Sequence, residues 1–96
     1  MFARKQDYIR QEVVNIYYTY LLECSDGTLY CGYTPDILSR MTVHNSGKGA
    51  KYTRSRLPVK LVYYEAHETK SDALKRESEI KKLTREKKLE LVKTFN

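Results

Sequence analysis

Asp26-Gly27, set between Tyr18–Cys24 and Thr28–Tyr33, constrains this chain more than any other stretch. Both flanking runs are rich in apolar and β-favouring residues, and an Asp-Gly pair between such runs is a strong hairpin signal. Strands are expected over about Val14 to Cys24 and Thr28 to Tyr33. Loop length then decides which side chains share a face. A two-residue loop pairs Ser25 with Thr28 and puts Tyr20 and Tyr30 on opposite faces. A three-residue loop, Ser25-Asp26-Gly27 with Gly27 left-handed as a bulge, pairs Cys24 with Thr28 instead. Tyr20 then lies opposite Gly32, and Tyr30 is its diagonal neighbour on the same face, roughly 7–8 Å away. The bulged loop is the expectation. On the hairpin alone, both tyrosines read as packing residues.

The 96 residues suit one small domain with one small core. Residues 1–13 mix charges with a few apolar residues and read as an N-terminal extension, a frayed end or short edge element; 14–96 read as a single domain. No export signal or membrane span is visible. Cys24 and Cys31, in the hairpin, read as free thiols of a reduced, cytoplasmic protein. The net charge of +6 is localised. Between Ile37 and Tyr64 there are six basic residues (Arg40, Lys48, Lys51, Arg54, Arg56 and Lys60) and no acidic one, while the rest of the chain is balanced. A field so concentrated attracts phosphate, and nucleic acid is the expected partner. The alternative is a solvated basic surface without a partner.

Thr34-Pro35-Asp36 reads as a helix start with Thr34 as N-cap and Pro35 in the first position. That helix should run to Asn45 or Ser46 and stop at Gly47, with Ile37, Leu38 and Met41 as its buried face. Arg40 and His44, four apart, fall on one side of it. Gly32 is expected to leave the backbone open to a close approach by substrate. Asn45–Arg56 reads as a Gly/Lys/Arg loop, and it lacks the phosphate-loop pattern. Val59–Glu65 is a third strand. A second helix starts at Thr69 or Ser71 and reaches about Leu83, with Ala73, Leu74, Ile80 and Leu83 as one stripe. Glu77 falls inside that stripe, where a carboxylate is costly unless it is paired or binds a cation. Glu79 points away. Thr84 caps a last helix that docks through Leu89, Val92 and Phe95. The fold class is α+β: a small three-stranded antiparallel sheet flanked by helices, in the order β-β-α-β-α-α.

This order, with these residues at these places, resembles the GIY-YIG nuclease domain over about Ile16 to Leu83, and in particular its small stand-alone bacterial members. The tyrosine ending the family's first motif matches Tyr20 in Tyr18-Thr19-Tyr20, and the second motif matches Tyr30-Cys31-Gly32. The family's helical arginine matches Arg40, with His44 following as in one branch, and its metal-binding glutamate matches Glu77. Tyr18 and Thr19 replace the glycine and isoleucine of the first motif, and Cys31 replaces the isoleucine of the second. Tyr33 stands where some repair members carry a lysine.

The resemblance implies metal-dependent hydrolysis of DNA phosphodiesters with low intrinsic specificity. Tyr20 is then the general base, with Tyr30 and His44 assisting, and Arg40 holds the phosphate. Glu77 is then the protein ligand of one Mg²⁺ or Mn²⁺ ion. Lys48, Lys51, Arg54 and Arg56 are the expected nucleic-acid contacts, and a DNA-binding protein partner is expected to add the specificity that the domain lacks. The competing reading is a non-catalytic nucleic-acid-binding module with the same fold.

Overall fold

In the computed structural model, which describes residues 15–95, the hairpin turn takes the bulged form. Gly27 has φ +83°, the left-handed region that glycine enters without a steric cost. The Cys24 N–H donates to the Thr28 carbonyl at 2.9 Å, and the Gly27 N–H to the Cys24 carbonyl at 2.9 Å. The flanking strands are β1 (Tyr17–Glu23) and β2 (Leu29–Thr34), antiparallel, with Tyr20 opposite Gly32 and Leu22 opposite Tyr30. Tyr20 and Tyr30 therefore share a face, as the loop chemistry predicts. A third strand, β3 (Lys60–His67), pairs antiparallel with β1, and the sheet order is β2-β1-β3. A register shift between Leu21 and Leu22 makes Val62 an extra residue in β3.

Four helices complete the described chain: α1 (Ile37–Asn45), α2 (Lys51–Arg54), α3 (Lys70–Lys81) and α4 (Arg85–Phe95). This is the predicted α+β order with one addition. The single-turn α2 lies inside the stretch that the sequence marks as loop. The expected strand start at Val14 and the 1–13 extension lie outside the described residues.

Each sheet face has its own core. Tyr20, Leu22, Cys24 and Val59 form one, covered by Tyr30, Met41, Leu57 and Leu61. Leu21, Cys31, Tyr63 and Ile80 form the other, with Val62, Leu83, Leu91 and Val92. Thr19 lies on the second face, fully buried, and its hydroxyl donates to the Ala73 carbonyl of α3 at 2.7 Å. That bond satisfies the one polar atom that replaces a family isoleucine.

Three local expectations are corrected. The N-cap of α1 is Asp36, whose carboxylate accepts from the Ser39 N–H at 3.1 Å. Thr34 stays in β2, and its hydroxyl accepts from the Asp36 N–H instead. Leu38 is 81% exposed. The stripe of α1 that faces the sheet is Ile37, Arg40, Met41 and His44, the i, i+3, i+4, i+7 series, and Leu38 falls off it. Leu74 is likewise exposed on α3, whose buried positions are Ala73 and Ile80. Thr69 and Thr84 cap α3 and α4 as expected, accepting from the Asp72 and Lys87 N–H groups.

Glu65 of β3 is tied to α3 by Arg76, whose Nε donates to Oε1 at 2.8 Å and whose Nη2 donates to Oε2 at 3.0 Å. Tyr63 also donates its hydroxyl to this carboxylate. Burial alone would raise the Glu65 carboxyl, but these bonds outweigh it and hold the group below its usual range. Replacing Arg76 with leucine strands a partly buried carboxylate, so Arg76→Leu is expected to cost about 1–3 kcal/mol. A lower urea midpoint at unchanged m-value checks this.

Candidate active site

Tyr20 occupies the middle of β1 and is 2% exposed. Its ring lies across Gly32 of the neighbouring strand: a Cβ there would come within 2.5 Å of the carbon bearing the phenol oxygen. The close approach expected at Gly32 is thus made by the chain's own phenol. His44, in the last turn of α1, is fully buried, and its Nε2 lies 3.0 Å from the Tyr20 Oη. The rings of Tyr20 and Tyr30 both meet the imidazole nearly edge-on, at 6.1 and 5.6 Å between centroids.

Arg40 lies one helical turn before His44 on the same stripe and forms no ion pair with a carboxylate among the described residues. Burial pushes the Tyr20 phenol up to about 12; a hydrogen bond and the positive charge of Arg40 pull against it, and the charges of Tyr30 and Glu77 add to the rise. Burial, reinforced by the Arg40 charge, lowers His44 below its usual value. A neutral phenol and a neutral imidazole thus face each other beside the Arg40 cation.

The loop from Ser46 to Leu57 closes over His44. Asn45 anchors it by a pair of bonds to Val59, accepting from its N–H at 2.9 Å and donating to its carbonyl at 3.2 Å. The Ser25 N–H holds the far end through the Arg56 carbonyl at 2.9 Å. Gly49 packs on the imidazole so closely that a Cβ would meet Nδ1 at 2.6 Å. Thr53 of α2, fully buried, brings its Oγ1 to 2.9 Å from His44 Nδ1 and donates to the Ala50 carbonyl at 2.9 Å.

The expected nucleic-acid contacts divide into two kinds. Lys48 and Lys51 are exposed and carry no ion pair among the described residues. Arg54 is exposed, with its Nε donating to the Gly49 carbonyl at 3.1 Å. Arg56 is engaged: its Nε donates to Asp26 at 3.0 Å, its Nη1 donates to the Tyr52 carbonyl, and its guanidinium lies 3.8 Å over the Tyr52 ring. Tyr52 in turn stacks on Tyr30. Arg56 therefore ties the loop to the hairpin turn. Sequence reasoning missed Thr53, Gly49 and Tyr52. A threonine and a glycine in a basic loop carry no signal until the histidine that they pack against is known.

Glu77 stands on α3, whose Ile80 packs into the second core, and its carbonyl lies 3.9 Å from Cys31 Sγ; its side chain is 19% exposed, with Lys81 Nζ at 3.3 Å. Its charge is felt at the Tyr20 hydroxyl. No group of three His, Cys, Asp or Glu residues that could enclose a metal occurs among the described residues. A lone half-buried carboxylate does not fit a closed zinc site. It does fit a hard cation that keeps most of its water, as Mg²⁺ does.

The strand order, the Tyr20–His44 pair beside Arg40 and the carboxylate of Glu77 on α3 together match a known class of catalytic domain. Residues 16–90 match the family model described as the GIY-YIG catalytic domain. The chain belongs to the GIY-YIG family, whose domain implies contact with nucleic acid. UPF0213 proteins of Staphylococcus aureus, including those of strains N315 and Mu50, are 58% identical to it over 77 residues, 80% of this chain and 94% of each relative. Two solution NMR structures share 49% identity with it. The UPF0213 protein BH0048 from Bacillus halodurans has a TM-score of 0.54, covering 82% of this chain and 84% of that one. The protein EF2693 from E. faecalis has a TM-score of 0.57, with 83% and 85% covered. No helix among the described residues is long and apolar enough to cross a membrane.

Proposed function

We propose that this protein hydrolyses phosphodiester bonds in nucleic acid, with DNA as the first substrate to test, at the sheet face bearing Tyr20, Tyr30, Arg40 and His44. The observation that carries this reading is the Tyr20–His44 contact at 3.0 Å under Arg40. A phenol held at about 12 keeps its proton at neutral pH, so Tyr20 can act as a base only if its own proton leaves as another arrives. His44 Nε2 is within reach to accept it. The attacking water gives a proton to Tyr20, Tyr20 passes its original proton to His44, and the water oxygen bonds to phosphorus as the bond to the leaving oxygen breaks. The leaving oxygen takes a proton from solvent. Arg40, which forms no ion pair among the described residues, holds the non-bridging oxygens where negative charge builds. Glu77 would hold one Mg²⁺ or Mn²⁺ ion, which when bound supplies Lewis-acid stabilisation of the phosphate charge.

A second reading, a binding module without cleavage, is favoured by the near-complete burial of Tyr20. Incubation with duplex, branched and single-stranded DNA, with and without Mg²⁺ or Mn²⁺, separates the two. Cleavage that needs the divalent ion supports hydrolysis; a salt-sensitive gel shift without cleavage on every substrate supports the binding module.

Lys48 and Lys51, exposed loop cations with no ion pair among the described residues, suit phosphate. Their joint replacement by alanine is expected to weaken binding to all sequences alike. It should also flatten the slope of log K against log salt by about one for each phosphate left without its lysine. Fluorescence anisotropy across a salt series checks this.

A further inference from the structure

We propose that Thr53 is a positioning residue that fixes His44 in the Nδ1–H tautomer and so keeps the Nε2 lone pair on the Tyr20 hydroxyl. The inference rests on the Tyr20–His44 pair as the proton-handling centre of the proposed function. It comes from placing every hydrogen in a buried chain of groups. Thr53 has one hydroxyl hydrogen and two close polar neighbours, the Ala50 carbonyl and His44 Nδ1, each at 2.9 Å. The carbonyl can only accept, so a hydroxyl that donates to it meets His44 with a lone pair, and Nδ1 must carry the imidazole proton. A neutral imidazole then has a bare Nε2, and the Tyr20 hydroxyl donates to it across 3.0 Å.

The Ala50 carbonyl also accepts the backbone N–H groups of Thr53 and Arg54, so its own needs do not fix the direction. Tyr20 fixes it from the other end. With the opposite tautomer the Tyr20 oxygen would accept the His44 N–H, and the phenol hydrogen would have no acceptor among the described residues. In the Nδ1–H form all three hydrogens have acceptors: Tyr20 to His44, His44 to Thr53, Thr53 to Ala50. His44 and Thr53 are both fully buried, so no water competes for these sites. When Nε2 takes the phenol proton, the ring becomes an imidazolium whose Nδ1–H is already seated on the Thr53 oxygen. Charge-assisted bonds of this kind are about twice as strong as neutral ones. Gly49, where a Cβ would meet Nδ1 at 2.6 Å, lets the loop deliver Thr53 to this place.

The test is the long-range ¹H–¹⁵N spectrum of the His44 ring in the parent protein, Thr53→Val and Thr53→Ser. The parent is expected to show a protonated Nδ1 and a bare Nε2. Thr53→Val, equal in shape but without the acceptor, is expected to shift toward the Nε2–H form, and Thr53→Ser to keep the parent pattern. The titratable and charged groups facing His44, namely Tyr20, Tyr30 and Arg40, stay in place in all three. Cleavage should fall about tenfold in Thr53→Val, the equivalent of one orienting hydrogen bond, and recover in Thr53→Ser. An Nε2–H imidazole in the parent, or an unchanged Nδ1–H in Thr53→Val, overturns the proposal. The parent spectrum decides even if the valine variant fails to fold. If the tautomer responds as expected but the parent cleaves no nucleic acid, the nuclease reading fails and the tautomer lock stands.

Discussion

Tyr20→Phe is expected to lower the rate of nucleic-acid cleavage by about 10²–10⁴-fold, the usual share of a positioned general base. The ring, its packing on Gly32 and its edge contact with His44 are kept; only the oxygen goes. Its loss removes the group that takes the proton from water and the donor that occupies His44 Nε2. The imidazole nitrogen is then buried without a partner, at a stability cost of about 1–3 kcal/mol. Single-turnover cleavage and urea unfolding on the same preparation measure the two effects separately. The parent's pH dependence should share this origin. Because burial and Arg40 hold His44 below its usual value, Nε2 stays available through neutral pH. Activity is lost as the pH falls through the folded-state value. The stability linked to His44 has the same sign: it is fully present above the unfolded value near 6.5 and declines as the pH drops toward the folded one.

Gly32→Ala is expected to do comparable damage from the neighbouring strand. The added Cβ meets the Tyr20 ring rather than a flexible side-chain end, and that ring is confined between Gly32 and His44. Overpacking of this kind costs about 1–3 kcal/mol. Displacing the phenol by a fraction of an ångström also breaks its alignment with His44, and misplacement on the ångström scale can cost about 10²-fold in rate. Gly27→Ala is the control. It meets open space, but at φ +83° it strains the turn, so it should lower stability while leaving Tyr20 in place. Parallel melting curves and cleavage rates distinguish the two glycines. If Gly32→Ala cleaves at the parent rate, the phenol does not need the seat described for it.

Much of this is readable in the residues because local chemistry and the tertiary fold agree at the hairpin. Asp26-Gly27 sets a bulged turn, the bulge sets the register, and a period of two then places Tyr20 and Tyr30 on one face. Helix α1 misleads in an instructive way. Leu38 reads as part of the buried stripe because burial ordinarily selects apolar residues. Here the stripe against the sheet holds Arg40 and His44, and Leu38 is left in water. Where a helix face serves a site, hydrophobicity stops marking the inside. Thr53 is unreadable for another reason. Its role depends on a loop folding back over a histidine nine residues earlier, which no spacing rule encodes. The lysines and arginines of that loop read alike as charges, and only the fold separates Arg56, bound to Asp26 and Tyr52, from Lys48 and Lys51, which have no ion pair among the described residues.

The most direct measurement of the central claim is nicking of supercoiled DNA by the parent protein, Arg40→Ala and Glu77→Ala, each with Mn²⁺, with Mg²⁺ and with chelator. The parent is expected to nick only when a divalent ion is present. Both variants should lose that activity by about 10²-fold or more while keeping salt-sensitive binding. Nicking by both variants at the parent rate would contradict the account, because the chemistry would then lie outside the face built around Tyr20.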